Sequence, residues 1–149
     1  MEENLRQKLW AYIRDNSPEV MFDLQEDYSV GKYLDKKVNG IASRLEQWKK
    51  EGLPPADIET RALLELTVDL RPSKFHYIRE ILQTEFEEAY LEMEGNGTLA
   101  YQLLNLIDAC KEIFEAIGFS EKNKEGRRLK YAIIGTIARY LEKLGDEKK

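Results

Sequence analysis

The chain has 149 residues and a formal net charge of −5 at pH 7, and 42% of its residues are hydrophobic while 34% are charged. That length and composition are typical of one compact, helix-rich domain with a sizeable core, which excludes extensive disorder. The acidic balance argues against a mainly electrostatic attachment to nucleic acid or to an anionic membrane, because both need a basic footprint on the protein.

The N-terminal segment predicts one short helix. Leu5, Leu9 and Ile13 repeat at helical spacing until Asn16-Ser17-Pro18 interrupts the pattern. Residues 19–29 follow without a clear period. We interpret them as a connection.

A long second helix and a third helix are predicted next. Residues 30–52 carry apolar side chains at spacings of four and three, and Gly52 at their end is a typical C-cap. Pro54-Pro55 suits a first helical turn, where proline costs no hydrogen bond, and opens a third helix that ends near Leu70. The apolar positions of these two helices are Leu34, Val38, Ile41, Leu45, Trp48, Ile58, Ala62, Leu63, Leu66 and Leu70.

Residues 73–93 predict the most regular amphipathic helix of the chain. Pro72 lacks a backbone N–H and disfavours the α conformation at Arg71, so the third helix must end there and Ser73 can cap the next one. One face of this helix is apolar, and we expect it to be the central strut of the fold. Its exposed side is acidic, since residues 80–94 contain no Lys or Arg. The apolar face consists of Phe75, Ile78, Leu82, Phe86, Ala89 and Met93.

Two further helices complete the pattern. Gly95-Asn96-Gly97 predicts a turn, and Thr98 is a suitable cap for a fifth helix that Gly118 closes. Residues 120–126 are polar and predict a loop. A sixth helix begins at about Arg127.

Together these segments predict an all-α fold. Six helices joined by short polar connections, with hardly any alternating strand pattern, indicate a single-domain bundle of about six helices over residues 1–149. We expect residues 145–149 to form a frayed tail.

The residues that could carry chemistry favour structural roles. His76 is the only histidine, and it lies off the apolar face four residues before Glu80, which is typical of a solvated pair. Cys110 lies within an apolar stripe of another helix and is typical of a small core residue. No glutamate has a histidine three residues later, as di-iron bundles require. We therefore predict no catalytic residue, no metal site and no cofactor.

Two clusters of basic residues are candidates for contact with phosphate. The stronger cluster, the basic segment, consists of Lys122, Lys124, Arg127, Arg128 and Lys130, which against the single Glu125 give a local charge of about +4. The weaker cluster, on the second helix, consists of Lys36, Lys37, Arg44, Lys49 and Lys50. An ordinary solvated surface is the favoured interpretation of both, because aromatic residues for base stacking are not interleaved.

Four residues are candidates for a protein interface. Trp10, Trp48 and Tyr131 flank the apolar faces of their helices, although a partly buried core position is the commoner place for tryptophan. Gly135 interrupts an apolar helix at a cost of about 1 kcal/mol relative to alanine. Close approach of another helix, from this chain or from a second copy, would compensate for that cost.

The location predicted from the sequence is the cytoplasm. Cys110 is the single cysteine and cannot form an internal disulfide, while residues 1–4 have neither the basic nor the apolar region of a signal peptide. No stretch reaches the ~18 uncharged apolar residues of a membrane span, so we expect no membrane attachment through a spanning helix.

Several motifs carry a resemblance that covers nearly the whole chain. They include LRQKLWAYIRDNSP at residues 5–18, LRPSKF at residues 70–75 and IGTI at residues 134–137. The sequence resembles an uncharacterised family of all-helical bacterial proteins, a domain of unknown function from Bacteroides-type bacteria that is often encoded near conjugative or other mobile elements. The resemblance implies an all-helical fold and transfers no catalytic residue.

The sequence therefore predicts a non-enzymatic cytoplasmic interaction or accessory protein. Its partner would be another protein or a second copy of itself. An alternative, which the implied mobile-element association favours more than the charge does, is a nucleic-acid-binding accessory factor that uses the basic segment. An enzyme with carboxylate chemistry is the third interpretation.

Overall fold

The structure is a computed structural model that describes residues 1–147. In these residues the chain forms ten α-helices and one short 3-10 helix and contains no strand, so the predicted all-α class is confirmed. The predicted number of about six helices is wrong. Three of the predicted long helices are each interrupted once, and one predicted connection is itself a helix.

The chain divides into two compact units, Met1–Arg71 and Pro72–Lys149. Each unit contains its own cluster of buried apolar side chains. The expectation of a single domain over residues 1–149 stays a prediction.

In the first unit, α1 occupies the centre. The helices are α1 (Glu2–Asn16), α2 (Pro18–Glu26), α3 (Val30–Gly40), α4 (Ala42–Lys50) and α5 (Pro55–Leu66), followed by the 3-10 helix Val68–Leu70. α1 packs against α2, α3 and α5, and α4 packs against α5. Leu5, Leu9 and Ile13, the apolar positions of the predicted first helix, are fully buried.

Pro18 begins a helix rather than preceding a connection. Ser17 leaves the helical conformation with φ −142° and ψ 57°, and its N–H donates to the Ile13 carbonyl and ends α1. Pro18 then occupies the first turn of α2, where its missing N–H costs no hydrogen bond. The interpretation of residues 19–29 as a connection is wrong, because α2 continues to Glu26.

The predicted long helix of residues 30–52 is interrupted at Ile41. This residue has φ −111° and ψ 10°, and its N–H donates to the Val38 carbonyl at 3.2 Å, which is a tighter turn than the α-helical one. The predicted C-cap at the far end is confirmed. Gly52 has φ 79° and its N–H donates to the Lys49 carbonyl.

The third predicted helix ends earlier than expected. α5 stops at Leu66, and the stretch up to Leu70 is the 3-10 helix. The buried Thr67 hydroxyl donates to the Leu63 carbonyl at 2.7 Å. Such a side-chain bond competes with the helical ladder and favours a helix end.

In the second unit, α6 occupies the centre. The helices are α6 (Lys74–Glu85), α7 (Glu87–Gly95), α8 (Leu99–Ala109), α9 (Lys111–Ile117) and α10 (Arg127–Glu147). α6 packs against α7, α8 and α10. The predicted cap is confirmed, since the Ser73 hydroxyl accepts from the His76 N–H at 3.1 Å. Residues 148–149 of the predicted frayed tail lie outside the described residues.

The predicted central strut is interrupted at Phe86. This residue has φ −137° and ψ 52°, and it ends α6 by donating its N–H to the Leu82 carbonyl. The prediction of one helix over residues 73–93 is therefore wrong. Beyond the break, α7 buries Tyr90 and Met93, whereas Phe86 itself is only partly buried.

Cys110 and Gly135 are two positions in the last helices at which the sequence led to specific expectations. Cys110 is fully buried, as predicted for a core residue, but it also interrupts the predicted fifth helix between α8 and α9. α10 passes through Gly135 without a break. Among the described residues, a Cβ at Gly135 would meet only the Arg139 guanidinium, at 3.7 Å, and close approach of another helix, from this chain or from a second copy, stays a prediction.

Candidate functional site

The basic segment is partly neutralised by carboxylates of the same unit. Lys124 Nζ lies 2.7 Å from Glu121 Oε2, and this hydrogen bond raises the pKa of Lys124. Lys130 Nζ lies 3.4 Å from Glu85 Oε1, at the end of α6. The exposed cations of the segment without an ion pair to a described residue are Lys122, Arg127 and Arg128. The segment is therefore not a continuous basic patch.

The loop that begins the basic segment is organised by Asn123. Its side-chain nitrogen donates to the Gly118 carbonyl at 2.6 Å, and its side-chain oxygen accepts from the Ser120 N–H at 2.7 Å. Gly118 has φ 86°, a conformation that favours glycine. These bonds close α9 and give the loop a structural role.

The four predicted interface residues differ in their surroundings. Trp10 and Trp48 are partly buried and pack against the core of the first unit. Tyr131 is 65% exposed on α10, and Gly135 is partly buried on the same helix. Their role in an interface stays a prediction, and among them Tyr131 offers the largest exposed apolar surface.

The histidine and the cysteine of the second unit have different surroundings. His76 is exposed in the first turn of α6, with its ring edge-on to Phe75 at 5.7 Å between centroids. Burial raises the pKa of the Cys110 thiol to about 11, which leaves it protonated at neutral pH. The described part of the chain contains no group of three or more His, Cys, Asp or Glu residues that could hold a metal ion. In the same residues no helix is long and apolar enough to span a membrane.

A surface hollow lies on the first unit, where the α3–α4 junction meets α5. It has a volume of about 510 Å³, and a second hollow of about 400 Å³ shares three of its lining residues, Gly40, Ile41 and Glu65. We call the two together the groove. The other lining residues are Tyr33, Lys36, Lys37, Arg44, Leu64, Leu66, Val68 and Arg71.

The helix break at Ile41 accounts for the groove. α3 ends at Gly40 and α4 begins at Ala42, so the junction of these two helices, rather than a continuous helix surface, forms one wall. Gly40 leaves that wall open, because a Cβ built there would meet no atom within 4 Å. The opposite wall comes from the end of α5 and from the 3-10 helix.

Two aliphatic side chains are exposed in the groove. Leu64 is 52% exposed and Val68 is 60% exposed, and both line the larger hollow. They lie four residues apart, on the opposite side of the helical wheel from the buried Ile58, Ala62 and Leu66. A pair of apolar residues away from the core face was the signal from which the sequence could have predicted this surface.

The polar groups around the aliphatic pair are held in place. Arg44 forms an ion pair with Glu65 Oε1, and Lys37 Nζ lies 2.7 Å from Asp69 Oδ2. The Arg71 guanidinium donates to the Leu64 carbonyl at 2.8 Å. The second carboxylate oxygen, Glu65 Oε2, is buried and accepts no hydrogen bond from any described residue.

Two hollows of the second unit are smaller. One of about 360 Å³ lies between α8, α9 and α10 and contains Arg139, Lys143 and Glu112. The other, of about 290 Å³, lies between α7, α8 and α10. Neither is lined by a large apolar side chain as exposed as Leu64 or Val68. The groove of the first unit is therefore the stronger candidate for a binding surface.

The described residues form an all-α protein of two helical units, one of which carries an open groove. Comparison with family models matches residues 4–145 to the family described as Domain of unknown function (DUF1896). The chain belongs to this family, and the resemblance to an uncharacterised all-helical family is confirmed. Comparisons with curated proteins and with solved structures returned no significant match. The bacterial origin and the mobile-element association stay predictions.

Proposed function

We propose that the chain is a non-enzymatic, cytoplasmic interaction protein and that the groove of the first unit is its docking surface. The observation that carries this proposal is the pair of exposed aliphatic side chains, Leu64 and Val68, on one wall of the groove. The single thiol, Cys110, is buried and has no cysteine partner in the sequence, which fits a reducing compartment.

A partner that covers the groove would gain from hydrophobic burial. Complete burial of a leucine or valine side chain contributes about 1.5–3 kcal/mol, and roughly half of each side chain is still exposed here. Covering Leu64 and Val68 together therefore contributes on the order of 2 kcal/mol to binding. This contribution is enough to favour one position of the partner along the groove.

A helical segment is the kind of occupant that the groove suits. Residues 1–147 contain no strand and hence offer no sheet edge to which an extended peptide could add. Leu64 and Val68 are spaced by four residues, which matches the spacing of apolar anchors along a docked helix. We therefore propose recognition of one apolar helix face by the groove.

The proposal can be tested with synthetic amphipathic helices. Three peptides share one apolar face and carry glutamate, glutamine or lysine at every polar position, and binding is followed by chemical shifts of the isotope-labelled protein. We expect at least one peptide to give saturable shifts at residues of the groove. If none of the three shifts these residues, the proposed function is wrong.

Gly40→Leu is the matched blocking variant. It places a side chain on the wall shared by both hollows, at a helix-terminal position with room for a Cβ, so the fold should be retained. Gly95→Leu is its control, because Gly95 also ends a helix with open space around it but lies away from the groove. We expect Gly40→Leu to abolish peptide binding and Gly95→Leu to leave it unchanged.

A further inference from the structure

We infer that the occupant of the groove is an acidic amphipathic helix of another protein. This inference rests on the proposed function and adds the charge of the partner. It follows from the side chains that surround the exposed aliphatic pair, Leu64 and Val68. Among all lining residues of the groove there are four cations and one carboxylate: Lys36, Lys37, Arg44 and Arg71 against Glu65.

The four cations differ in how far they are neutralised within the chain. Arg44 and Lys37 form ion pairs, with Glu65 and Asp69 respectively. Lys36 and Arg71 form no ion pair with a described residue. These two are therefore available to a carboxylate of a partner. Their excess charge is local, because the chain as a whole carries −5.

Arg71 is positioned rather than loosely solvated. One of its terminal nitrogens donates to the Leu64 carbonyl at 2.8 Å, which holds the guanidinium beside the exposed Leu64 side chain. A guanidinium has five N–H donors, so the others can still bind a carboxylate. Lys36 approaches the groove from α3, on the other wall. A helix that places its apolar face on Leu64 and Val68 thus meets Arg71 in the same hollow and Lys36 in the adjoining one.

This arrangement selects the charge of the occupant. An acidic helix places carboxylates opposite Lys36 and Arg71, whereas a basic helix would be repelled by the same side chains. A neutral helix gains only the hydrophobic contact. An exposed ion pair contributes little by itself, and two such pairs correspond to a preference of about tenfold for the acidic helix over the neutral one at low salt.

A second copy of the chain is a weaker candidate for the occupant. The acidic helix α7 carries an exposed leucine, Leu91, which is 54% exposed. The residues four positions away on either side are Glu87 and Gly95, neither of which has an apolar side chain, so no second anchor follows at that spacing. The groove offers two aliphatic side chains at that spacing, and one anchor would leave half of this surface uncovered.

The test uses the acidic, neutral and basic peptides with the full chain. At about 0.1 M salt we expect the acidic peptide to bind about tenfold more tightly than the neutral one and the basic peptide to bind least. At about 1 M salt the Debye length falls to about 3 Å, and the acidic and neutral peptides should bind alike. Equal binding of all three peptides at low salt would overturn the inference while leaving the proposed function in place.

Charge variants assign the preference to named residues. Lys36→Gln combined with Arg71→Gln should remove the advantage of the acidic peptide and leave the neutral peptide unaffected, because the two changes remove charge and keep the exposed Leu64 and Val68. Lys49→Gln combined with Lys50→Gln removes the same charge from α4 outside the groove and should preserve the preference. If Lys36→Gln with Arg71→Gln kept the preference for the acidic peptide, or Lys49→Gln with Lys50→Gln removed it, the inference would be overturned.

Sedimentation of the peptide-free protein tests the remaining occupant. We expect the wild-type chain and the Gly40→Leu variant to have the same mass in solution. Self-association of the wild type that Gly40→Leu abolishes would identify a second copy as the occupant and overturn the inference of a foreign acidic helix.

Discussion

The ammonium group of Lys130 lies 3.4 Å from the carboxylate of Glu85, so one end of the basic segment is paired with the acidic stretch of residues 80–94. Their pairing within one unit means that a phosphate near Lys130 would also approach Glu85 well within a Debye length of about 10 Å at 0.1 M salt. No observation favours the nucleic-acid interpretation, which stays an untested alternative.

The first prediction concerns this alternative. Lys122, Arg127 and Arg128 are the cations left to contact phosphate, and three contacts to duplex DNA would give a log-affinity against log-salt slope of about −2.7. We expect no binding tighter than the non-specific range of about 10⁻⁴ to 10⁻⁶ M at physiological salt. Fluorescence anisotropy with labelled duplex at several salt concentrations measures both quantities. Sub-micromolar binding that Arg127→Glu plus Arg128→Glu abolishes would favour the nucleic-acid interpretation.

The second prediction concerns the core of the second unit. Leu82 is fully buried at the centre of α6, whereas Phe86 is partly buried at the helix break. Leu82→Ala should lower the free energy of unfolding by about 2–5 kcal/mol, and Phe86→Ala should cost less than the 3–5 kcal/mol typical of a fully buried ring. Urea denaturation followed by far-UV circular dichroism measures both, and a larger loss for Phe86→Ala would contradict the observed burial.

The two tryptophans make the same experiment informative about domains. Trp10 and Trp48 both belong to the first unit, so their fluorescence reports its unfolding. Each unit has its own apolar core. We therefore expect Leu82→Ala to shift part of the circular-dichroism transition to a lower urea concentration and to leave the midpoint of the tryptophan-fluorescence transition unchanged. Coincident shifts of both signals would instead support the single domain predicted from the sequence.

The apolar period of the sequence identified the core because burial on one helix face is a local property. Leu5, Leu9 and Ile13 were recognised in this way, and so were Ile78 and Leu82, which are all fully buried. The spacing of apolar residues says little about whether a helix continues without a break. Apolar residues at spacings of three and four continue through a break when the residue at the break also belongs to the core.

The helix breaks illustrate this limit. Phe86 and Cys110 are apolar, and no glycine or proline adjoins them, so no local signal marks them as interruptions. Ile41 follows the turn-forming dipeptide Asn39-Gly40, but the apolar spacing that continues on both sides of it favoured one long helix. Their non-helical conformations are stabilised by packing between helices that are distant in sequence. Pro18 did carry a signal, but proline is equally compatible with a helix start and with a connection.

The groove was less predictable than the core. It requires Arg44 of α4 to lie beside Glu65 of α5, a contact between residues 21 positions apart that periodicity does not specify. The sequence shows the cluster of cations on the second predicted helix, but it does not show which residues of α5 lie beside them. Only the exposed pair Leu64 and Val68 could have been found from the sequence, as apolar residues on the polar side of a helix.

The third prediction concerns the buried thiol. Burial raises the pKa of Cys110 from an ordinary value of 9.0 to about 11, so folding favours the protonated thiol. The resulting stability is fully present below pH 9 and is lost as the pH rises from there towards 11. We expect the free energy of unfolding to fall across this range, and Cys110→Ala should remove that part of the pH dependence.

Thiol reactivity gives an independent measurement of the same property. A disulfide reagent at pH 8 should react with Cys110 in urea and hardly at all in the native chain, because the native thiol is buried and protonated. Rapid reaction of the native protein would contradict the observed environment of Cys110.

The fourth prediction concerns Glu65, the one carboxylate that lines the groove. Replacing it with glutamine keeps the shape of the side chain and removes the charge that neutralises Arg44. The guanidinium of Arg44 is then a further cation facing the occupant, and we expect Glu65→Gln to tighten binding of the acidic peptide several-fold at low salt and to steepen its salt dependence. The neutral peptide should show no such gain.

Isothermal titration of both peptides measures this effect in the wild type, in Glu65→Gln and in the control Glu59→Gln. Glu59 is a carboxylate on the same helix outside the groove, so the control separates a local effect from a change in net charge. A loss of affinity for the acidic peptide in Glu65→Gln would mean that the carboxylate accepts a donor from the occupant and that this bond outweighs the charge of Arg44.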